Sequence, residues 1–565
     1  MRKLKKICII VGVLVIGLPI VLLAIAFAIG CCLYFTADFR QPDFTLDMSK
    51  YEVVVENDSL RRCNNSTLRL NKYGLWEAHI VGDAIDRGAE YGALTKDLLK
   101  YQEDVFVNRI HEIIPSEWWV EFLHKVIIVF NRDMAQHIPD EYREEIYAMS
   151  HFCTDEYDSY GNSYFRQLNY HAAHDIAHMM QQYMLVGCSS FACWDDESED
   201  NNLIVGRNFD FYVGDDFAKN KVIVFMEPTE GYRFASISWP GMMGVLSGMN
   251  EAGLTVTINA AKGAMPTSSA MPISLLTRHI LQYAGNIEEA YEIARQYKTF
   301  VSESILIASA NDGYAAIIEK TPEKIAIYKS HLSSVSDQHS VQSSRIVCTN
   351  HYQSEEFADD EYNMENIATS DSPYRHERLN ELLDEMSPIN AEDAVSILRN
   401  RYGLGNVDIG LSNEKSLNQF IAHHSVVFQP EQLRFWVSSA PWQLGEFVCY
   451  DLDYKTTRLQ NYKAIVQSSE SKDDEYVRVC RYREQYKTIT SAIKDNQNIT
   501  SEFIEEFIEN NPNYFQVYNT LGDYELSRKN YEQAISYWKQ ALMLEIPRTT
   551  EKDEITSKIK KYDKR

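Results

Sequence analysis

The sequence predicts a layered α+β domain between an apolar amino-terminal segment and a helical carboxy-terminal module. At roughly 100–200 residues per domain, a chain of 565 residues holds more than one domain, and its 45% apolar and 24% charged content is typical of globular proteins. After Cys188 the apolar spacing changes from the three and four residues of helices to the alternation of strands. After about residue 460 the pattern is helical again and no strand is predicted.

The charge and the cysteine content argue against two classes of protein. The chain has 55 Lys and Arg against 81 Asp and Glu, a net charge of −26, so the clustered cations of a general nucleic-acid binder are not expected. Ten cysteines are too few for a disulfide-built scaffold. Seven of them lie beyond residue 35, and in an oxidising compartment this odd number leaves at least one thiol unpaired or paired between chains.

The amino-terminal 35 residues predict attachment to a membrane. Residues 1–6 form a basic tail and residues 7–35 carry no charge. As a helix the uncharged run would extend about 43 Å, more than the ~30 Å of a bilayer core. We expect a single-pass signal anchor with its amino terminus in the cytoplasm and the catalytic domain on the extracytoplasmic side.

Three other interpretations of this segment stay open. A cleavable signal peptide has an apolar core of only about 7–15 residues, shorter than this run. The sequence Ala28-Ile29-Gly30-Cys31 resembles a bacterial lipoprotein processing site, with Cys31 as the lipidated residue. A buried core helix is the third alternative.

Residues 36–187 are predicted to be a stalk followed by a helical segment. Residues 36–70 are polar and poorly patterned, which favours a stalk and entry segment. From Asp83 to Tyr183 apolar residues recur at helical spacing, and 164–184 reads as one more helix that ends just before Gly187.

Residues 188–460 are predicted to form the α+β domain. Two helices, at about 272–284 and 287–297, separate an earlier from a later group of strands, and strands in hairpins with helices in pairs indicate a layered arrangement. The predicted strands are 189–194, 203–212, 221–226, 234–239, 254–260, 305–308, 314–319, 325–329, 434–439 and 446–452.

Residues 461–565 are predicted to form a helical module that is similar to tetratricopeptide repeats. One repeat of 34 residues fits the pattern, and a degenerate repeat is expected over about 475–512. An incidental helical hairpin is the alternative. Repeats of this kind stack and bind, so a protein partner is expected here. The residues that fit are Tyr518, Leu521, Gly522, Ala534, Trp538, Ala541 and Pro547.

A predicted hairpin brings a cysteine close to charged side chains. If strands 189–194 and 203–212 pair antiparallel around a turn near Ser198, the partner of Cys188 lies within two residues of position 208. Arg207 and Asp210 are then its neighbours, and a guanidinium favours the thiolate of a cysteine. The alternative is a buried structural cysteine next to a surface ion pair.

Five sequence blocks follow one another along the chain in a specific order. They are Gly187-Cys188-Ser189-Ser190-Phe191, Gly206-Arg207-Asn208-Phe209-Asp210-Phe211, Gly248-Met249-Asn250-Glu251-Ala252-Gly253-Leu254, Cys348-Thr349-Asn350-His351 and Ser372-Pro373-Tyr374-Arg375-His376-Glu377-Arg378-Leu379. Together they resemble the signature blocks of the cysteine N-terminal-nucleophile (Ntn) hydrolases. The similarity covers roughly residues 70–455 and is strongest to the isopenicillin N acyltransferase group, peptidase family C45, which is related to the choloylglycine (bile salt) hydrolases and the acid ceramidases.

This resemblance implies a fold and a processing step. It implies an αββα four-layer sandwich and a nucleophile at the amino terminus of a mature chain, so that Cys188 itself cuts the bond between Gly187 and Cys188. The liberated α-amino group would act as the base, because its pKa near 7.7–8.0 is closer to neutrality than the 10.4 of a lysine.

The resemblance also implies roles for individual residues. Cys188 is the nucleophile, and Arg207 lies beside its sulfur. Asp210 orients the α-amino group, and Asn259 donates to the oxyanion. Asn350 is a second active-site asparagine and Arg375 a supporting arginine. Asn250 is an alternative to Asn259 and is more typical of a turn, and Arg378 is an alternative to Arg375.

The predicted function is hydrolysis of a linear amide through a cysteine thioester, by a membrane-anchored enzyme that takes a small N-acyl amide. Transfer of the acyl group to an amine is one alternative, and a non-enzymatic membrane-tethered scaffold is another. Neither a cofactor nor a metal is expected. His171, His174 and His178 share a helix face but have no evident fourth ligand, and the acidic stretch 195–200 lacks the glycine spacing of a calcium loop.

Overall fold

The structure, a computed structural model, describes residues 18–172, 174–176, 187–266, 268–330, 343–452, 461–465 and 470–563. Within these ranges the strands form one sheet of 11 strands and one of 7. In chain order, the helices are α1 Leu18–Phe35, α2 Ala84–Ile113, α3 Glu117–Phe130, α4 Asp140–Ser150, α5 Ser163–His171, α6 Ile273–Tyr283, α7 Ile287–Gln296, α8 Glu361–Thr369, α9 Ser372–Met386, α10 Ala391–Leu398, α11 Glu470–Asp495, α12 Ser501–Asn510, α13 Phe515–Ser527, α14 Tyr531–Ala541 and α15 Thr549–Tyr562.

The strands are β1 Val54–Asn57, β2 Leu60–Cys63, β3 Ser66–Leu70, β4 Trp76–Gly82, β5 Ser189–Cys193, β6 Ile204–Asp210, β7 Val222–Pro228, β8 Phe234–Ser238, β9 Ser247–Asn250, β10 Leu254–Ala260, β11 Glu303–Ser309, β12 Tyr314–Lys320, β13 Ile325–Tyr328, β14 Arg345–Cys348, β15 Ala422–Gln429, β16 Arg434–Ser438, β17 Phe447–Asp451 and β18 Asn461–Ile465. The large sheet runs in the order β1-β2-β3-β4-β7-β8-β9-β10-β11-β12-β13, and the small sheet in the order β14-β5-β6-β15-β16-β17-β18.

Alternating side chains of the strands build a four-layer sandwich. Along β7, Val222 and Val224 face a cluster shared with α2, α4, α6 and α7, whereas Ile223 and Phe225 face a cluster between the two sheets. A third cluster lies between the small sheet and helices α9 and α10. Both faces of the central strands are therefore buried, which is why their sequences are apolar throughout. The predicted αββα arrangement is confirmed.

The strands that precede Cys188 belong to this sandwich. Strands β1–β3 pair as antiparallel hairpins, and β4 joins β7 in parallel with Trp76 opposite Val222. The predicted stalk is therefore wrong over 54–70, which form these strands, and over 36–53 it stays a prediction. The signal was weak because β1 is an exposed edge strand, so one of its faces carries no apolar pattern. The turn residue Asn64, at φ +49°, is the kind of residue that marks a tight hairpin.

The other expectations fall into three groups. Helices α6 and α7 and the strands predicted between 189 and 452 lie within a few residues of their predicted bounds. The module from 461 begins with a strand, β18, which pairs with β17, so the expectation of helices alone is wrong there. The predicted helix at 164–184 is described only to residue 176, and its remainder lies outside the described residues.

From Glu470 onward the carboxy-terminal module is helical, as predicted. Helices α11–α15 enclose their own apolar cluster. Gly522 is needed at its position, because a Cβ there would lie 2.3 Å from Nε1 of Trp538. Assignment to a particular repeat family stays a prediction.

The predicted membrane segment, residues 7–35, is described only from Leu18 onward, as helix α1. Its first part, and with it the basic tail, lies outside the described residues. Among the residues that are described, no helix has both the length and the apolar character needed to cross a bilayer. Every cysteine within the described ranges is a free thiol.

Candidate active site

The hairpin of β5 and β6 brings Cys188 to the charged residues predicted beside it. Ser189 pairs with Asn208, so Cys188 stands opposite position 209, within the predicted window. Next to it, the backbone N–H of Gly187 donates to the carbonyl of Asp210 over 3.4 Å. The turn between the two strands holds the acidic stretch 195–200 at the surface, far along the hairpin from Cys188.

Arg207 is buried with its guanidinium beside the sulfur. Its Nη2 lies 3.7 Å from Sγ of Cys188, and it also donates to the carbonyl of Ile258. Burial lowers the pKa of Arg207. Burial also raises the pKa of the Cys188 thiol to about 11, an effect that the nearby guanidinium only partly offsets. In the intact chain the thiol is therefore protonated at neutral pH and needs a base.

Asp210 is fully buried, and neither of its carboxylate oxygens has a hydrogen-bond partner among the described residues. Burial raises its pKa to about 8, against the opposing effect of Arg375 and Arg207. A buried carboxyl without a partner is costly. The site thus contains a buried carboxyl whose ionised form would be stabilised by a nearby cation.

Asn259 lies on β10, in the sheet that faces Cys188. Its Oδ1 accepts from the hydroxyl of Ser190 over 2.8 Å, and its Nδ2 donates to the carbonyl of Cys348 over 3.1 Å. The alternative, Asn250, lies at the end of β9. Its Oδ1 accepts from two backbone N–H groups of the β9–β10 turn, so Asn250 organises that turn.

Arg375 joins Cys188 to Asn350. Its Nη1 donates to the carbonyl of Cys188 over 2.7 Å and to the hydroxyl of Ser189 over 3.0 Å, and its Nη2 donates to Oδ1 of Asn350 over 2.6 Å. Asp371 holds the guanidinium from behind, at 2.8 Å from Nε. The alternative, Arg378, pairs with other groups through all its nitrogens and does not touch this site.

Two histidines that the sequence analysis missed support Arg207. Nη1 of Arg207 donates to the hydroxyl of Ser247, and that hydroxyl lies 2.8 Å from Nε2 of His424. Since an arginine can only donate hydrogen bonds, the hydroxyl of Ser247 donates its own proton to Nε2 of His424. The proton of the neutral His424 ring is then on Nδ1, which lies 3.0 Å from Nδ1 of His423. Strand β15, which carries both histidines, was not predicted, so no signal placed them near Cys188.

Further acidic groups lie buried near the site. Glu303 begins β11, and its Oε1 is 3.5 Å from Nδ1 of His174. Burial raises the pKa of Glu303 well above its usual range and raises that of Asp175 to about 8. His171 instead accepts from the backbone N–H of Met243 through Nε2. No metal-ligand cluster occurs within the described ranges, and His178 lies outside them.

Comparison with known families identifies the stretch that contains most of these residues. Residues 197–440 match the family acyl-coenzyme A:6-aminopenicillanic acid acyl-transferase. This stretch is similar to that family. It begins just after Cys188 and contains Arg207, Asp210, Asn259 and the later site residues. The predicted resemblance is confirmed, and the match covers less than half of the chain.

Single relatives are distant. A protein from Archaeoglobus fulgidus, described only as uncharacterized, is 23% identical over 354 residues, which span 58% of each chain. Among solved structures, an N-acylethanolamine-hydrolyzing acid amidase orthologue from Caenorhabditis elegans has a TM-score of 0.32 and 15% identity, covering 47% of this chain and 100% of that one. A conjugated bile acid hydrolase from Clostridium perfringens has a TM-score of 0.33 and 12% identity, covering 49% and 96%.

Proposed function

We propose that the protein is an amidohydrolase that cuts its own chain between Gly187 and Cys188 and then hydrolyses a linear N-acyl amide through a thioester on Cys188. One observation carries the proposal. A buried thiol lies 3.7 Å from a guanidinium, while Asp210, across the hairpin, has a buried carboxyl with no hydrogen-bond partner among the described residues. A free ammonium at Cys188 would supply a hydrogen-bonding cation for this carboxyl.

The first step would make that amine. Sγ of Cys188 attacks the carbonyl carbon of Gly187, the carbon–nitrogen bond breaks, and the thiol proton passes to the nitrogen. Water then hydrolyses the thioester, which leaves Gly187 with a carboxylate and Cys188 with a thiol and an α-amino group. Arg375, bound to the carbonyl of Cys188 at 2.7 Å, would hold the peptide in position while the bond breaks.

The second step would repeat this chemistry on substrate. The α-amino group takes the thiol proton, and the thiolate attacks the amide carbonyl. The proton passes to the leaving amine, and a thioester remains until water resolves it. Asn259 would donate to the oxyanion, which requires its Nδ2 to leave the carbonyl of Cys348 in the reacting state.

Two alternatives remain. In an acyltransferase, an amine would replace water at the thioester, and the name of the matched family favours this reading. We favour hydrolysis because it needs no second site for an acceptor. In a non-enzymatic membrane-tethered scaffold, Cys188 and its neighbours would have no chemical role.

We also propose that the protein is held at a membrane by its amino-terminal segment, with lipidation at Cys31 as the alternative. An exposed apolar face supports this proposal. Helix α3 contacts the apolar helix α1, and large apolar side chains on α3 face solvent. They are Trp118, Trp119, Phe122, Leu123 and Val126. Tryptophan and aliphatic side chains on one helix face suit the boundary between lipid and water.

Incubation with a panel of N-acyl amides tests the proposal. The panel holds N-acyl amino acids, N-acyl ethanolamines and bile acid conjugates, and mass spectrometry detects the released acid. We expect the wild type to release acid and the Cys188→Ala variant to release none. Cys193→Ala, which removes another buried thiol of the same hairpin, is the matched control and should stay active. Acyl transfer to an added amine, with little free acid, would support the acyltransferase. No turnover in any arm would contradict an enzymatic role.

A further inference from the structure

The carboxy-terminal helical module contacts a segment that reaches the peptide bond between Gly187 and Cys188. This segment, residues 410–420, connects the turn after α10 with strand β15. On one side it contacts the helical module, and on the other it contacts Gly187 and strand β6. Its two sets of contacts are unlike those of a freely exposed loop.

On the module side, the segment is held by paired polar contacts. Asn511 accepts from the backbone N–H of Leu411 and donates to the carbonyl of the same residue, both over 2.8 Å. Lys415 pairs with Glu545 at 2.6 Å. A reciprocal amide–backbone pair of this kind, with Asn511 almost fully buried, fixes the position of a loop backbone.

Apolar and cationic contacts close the same interface. Leu411 and Phe420 form a buried cluster with Val479 of α11. Arg483, also on α11, donates to the carbonyl of Phe420 over 2.9 Å. Gly410 has φ +86°, and a Cβ there would meet the backbone nitrogen of Tyr514 at 2.6 Å, so the two backbones are in close contact.

On the site side, the segment touches the residues of the proposed reaction. Gln419 is buried, and its Nε2 lies 3.1 Å from the point where a Cβ on Gly187 would stand. The carbonyl of Leu417 accepts from Nδ2 of Asn208 over 2.9 Å. Two residues beyond Phe420, Ala422 pairs with Asp210 in the sheet. A shift of the segment would therefore move groups on both sides of Cys188.

We infer that the helical module is a working part of the active site: by holding residues 410–420 it keeps Gln419 packed against Gly187, and Gln419 is a positioning residue for the bond between Gly187 and Cys188. The face of the module that covers this segment then binds a part of the same chain. The measurement of chain cleavage described below rests on the proposed function, but the measurement of hydrogen–deuterium exchange does not.

Hydrogen–deuterium exchange in the Cys188→Ala background tests the coupling without any cleavage. We expect Asn511→Ala to raise deuterium uptake at residues 187–189 as well as at 410–420. Asn530→Ala is the matched control, because its side chain binds only Glu525 within the module, and it should leave both regions unchanged. Faster exchange at 410–420 with none at 187–189 would overturn the inference.

The rate of chain cleavage gives a second readout. We expect Asn511→Ala and Gln419→Ala to slow the appearance of a chain that begins at Cys188 by at least tenfold, while Asn530→Ala cleaves like the wild type. Gln419→Glu keeps the size of the side chain, so its cleavage rate should lie between those of Gln419→Ala and the wild type. Cleavage of all variants at the wild-type rate would contradict the inference. An uncut wild type would instead contradict the proposed function, and the exchange arm would still decide the coupling.

Discussion

Asp210 should give the intact chain a stability that depends on pH. Its carboxyl is fully buried without a hydrogen-bond partner among the described residues, and burial raises its pKa from 3.8 to about 8. The perturbation is Asp210→Asn, made in the Cys188→Ala chain so that no cleavage occurs. Asparagine has nearly the same shape but does not ionise.

The sign follows from proton binding in the two states. Between pH 4 and pH 8 the carboxyl is ionised in the unfolded chain and protonated in the folded one, so folding takes up a proton. The free energy of unfolding therefore falls as pH rises, by up to about 1.4 kcal/mol per pH unit from this group alone. Between pH 5 and pH 8 the parent should lose on the order of 2–4 kcal/mol that the Asp210→Asn chain does not lose.

Urea unfolding at a series of pH values measures this difference. Any cost of an unsatisfied amide at position 210 is independent of pH and cancels when two pH values of one variant are compared. Asp195→Asn, in the exposed turn of the hairpin, is the control and should follow the parent. If the parent and Asp210→Asn lose stability in parallel, Asp210 is not a buried protonated carboxyl and the account of the site fails.

Two further predictions concern the intact site and the cut chain. Arg375→Lys keeps the positive charge but removes the two guanidinium nitrogens that bind Cys188 and Asn350, so chain cleavage should slow by about 10–100-fold. Arg378→Lys is the control and should leave the cleavage rate of the folded protein unchanged. Equal slowing in both variants would refute the role of Arg375. After cleavage, the chain that ends at Gly187 should stay bound to the rest of the protein, because β4 lies within the large sheet beside β7. Size-exclusion chromatography of the native protein should give one peak, and denaturing electrophoresis should give two chains. Two peaks from the native protein would show that the two chains separate.

The sequence predicted the central part of the fold because its strands are buried on both faces or alternate clearly. The hairpin around Cys188 could be placed to within two residues, since its two strands flank a single acidic connection, residues 194–203, whose centre sets their register. The resemblance to the family favoured Arg375 over Arg378 as the supporting arginine, and the hydrogen bond from Arg375 to the carbonyl of Cys188 agrees with that choice.

Other parts carried no readable signal. Strand β1 is exposed along its whole length, so it lacks the apolar alternation that identifies a strand. His424 and Gln419 reach the site only through long-range packing of β15 and of residues 410–420, which local patterns do not encode. The contribution of the helical module is of the same kind: Asn511 contacts Leu411 across 100 positions of the chain.

Intact mass measurement with amino-terminal sequencing of the purified wild type and of Cys188→Ala tests self-cleavage at Cys188 directly. We expect a wild-type chain that begins Cys-Ser-Ser-Phe at residue 188 and its absence from the variant. A wild type that stays uncut would leave no α-amino group at Cys188 to act as the base, and would contradict the proposed function.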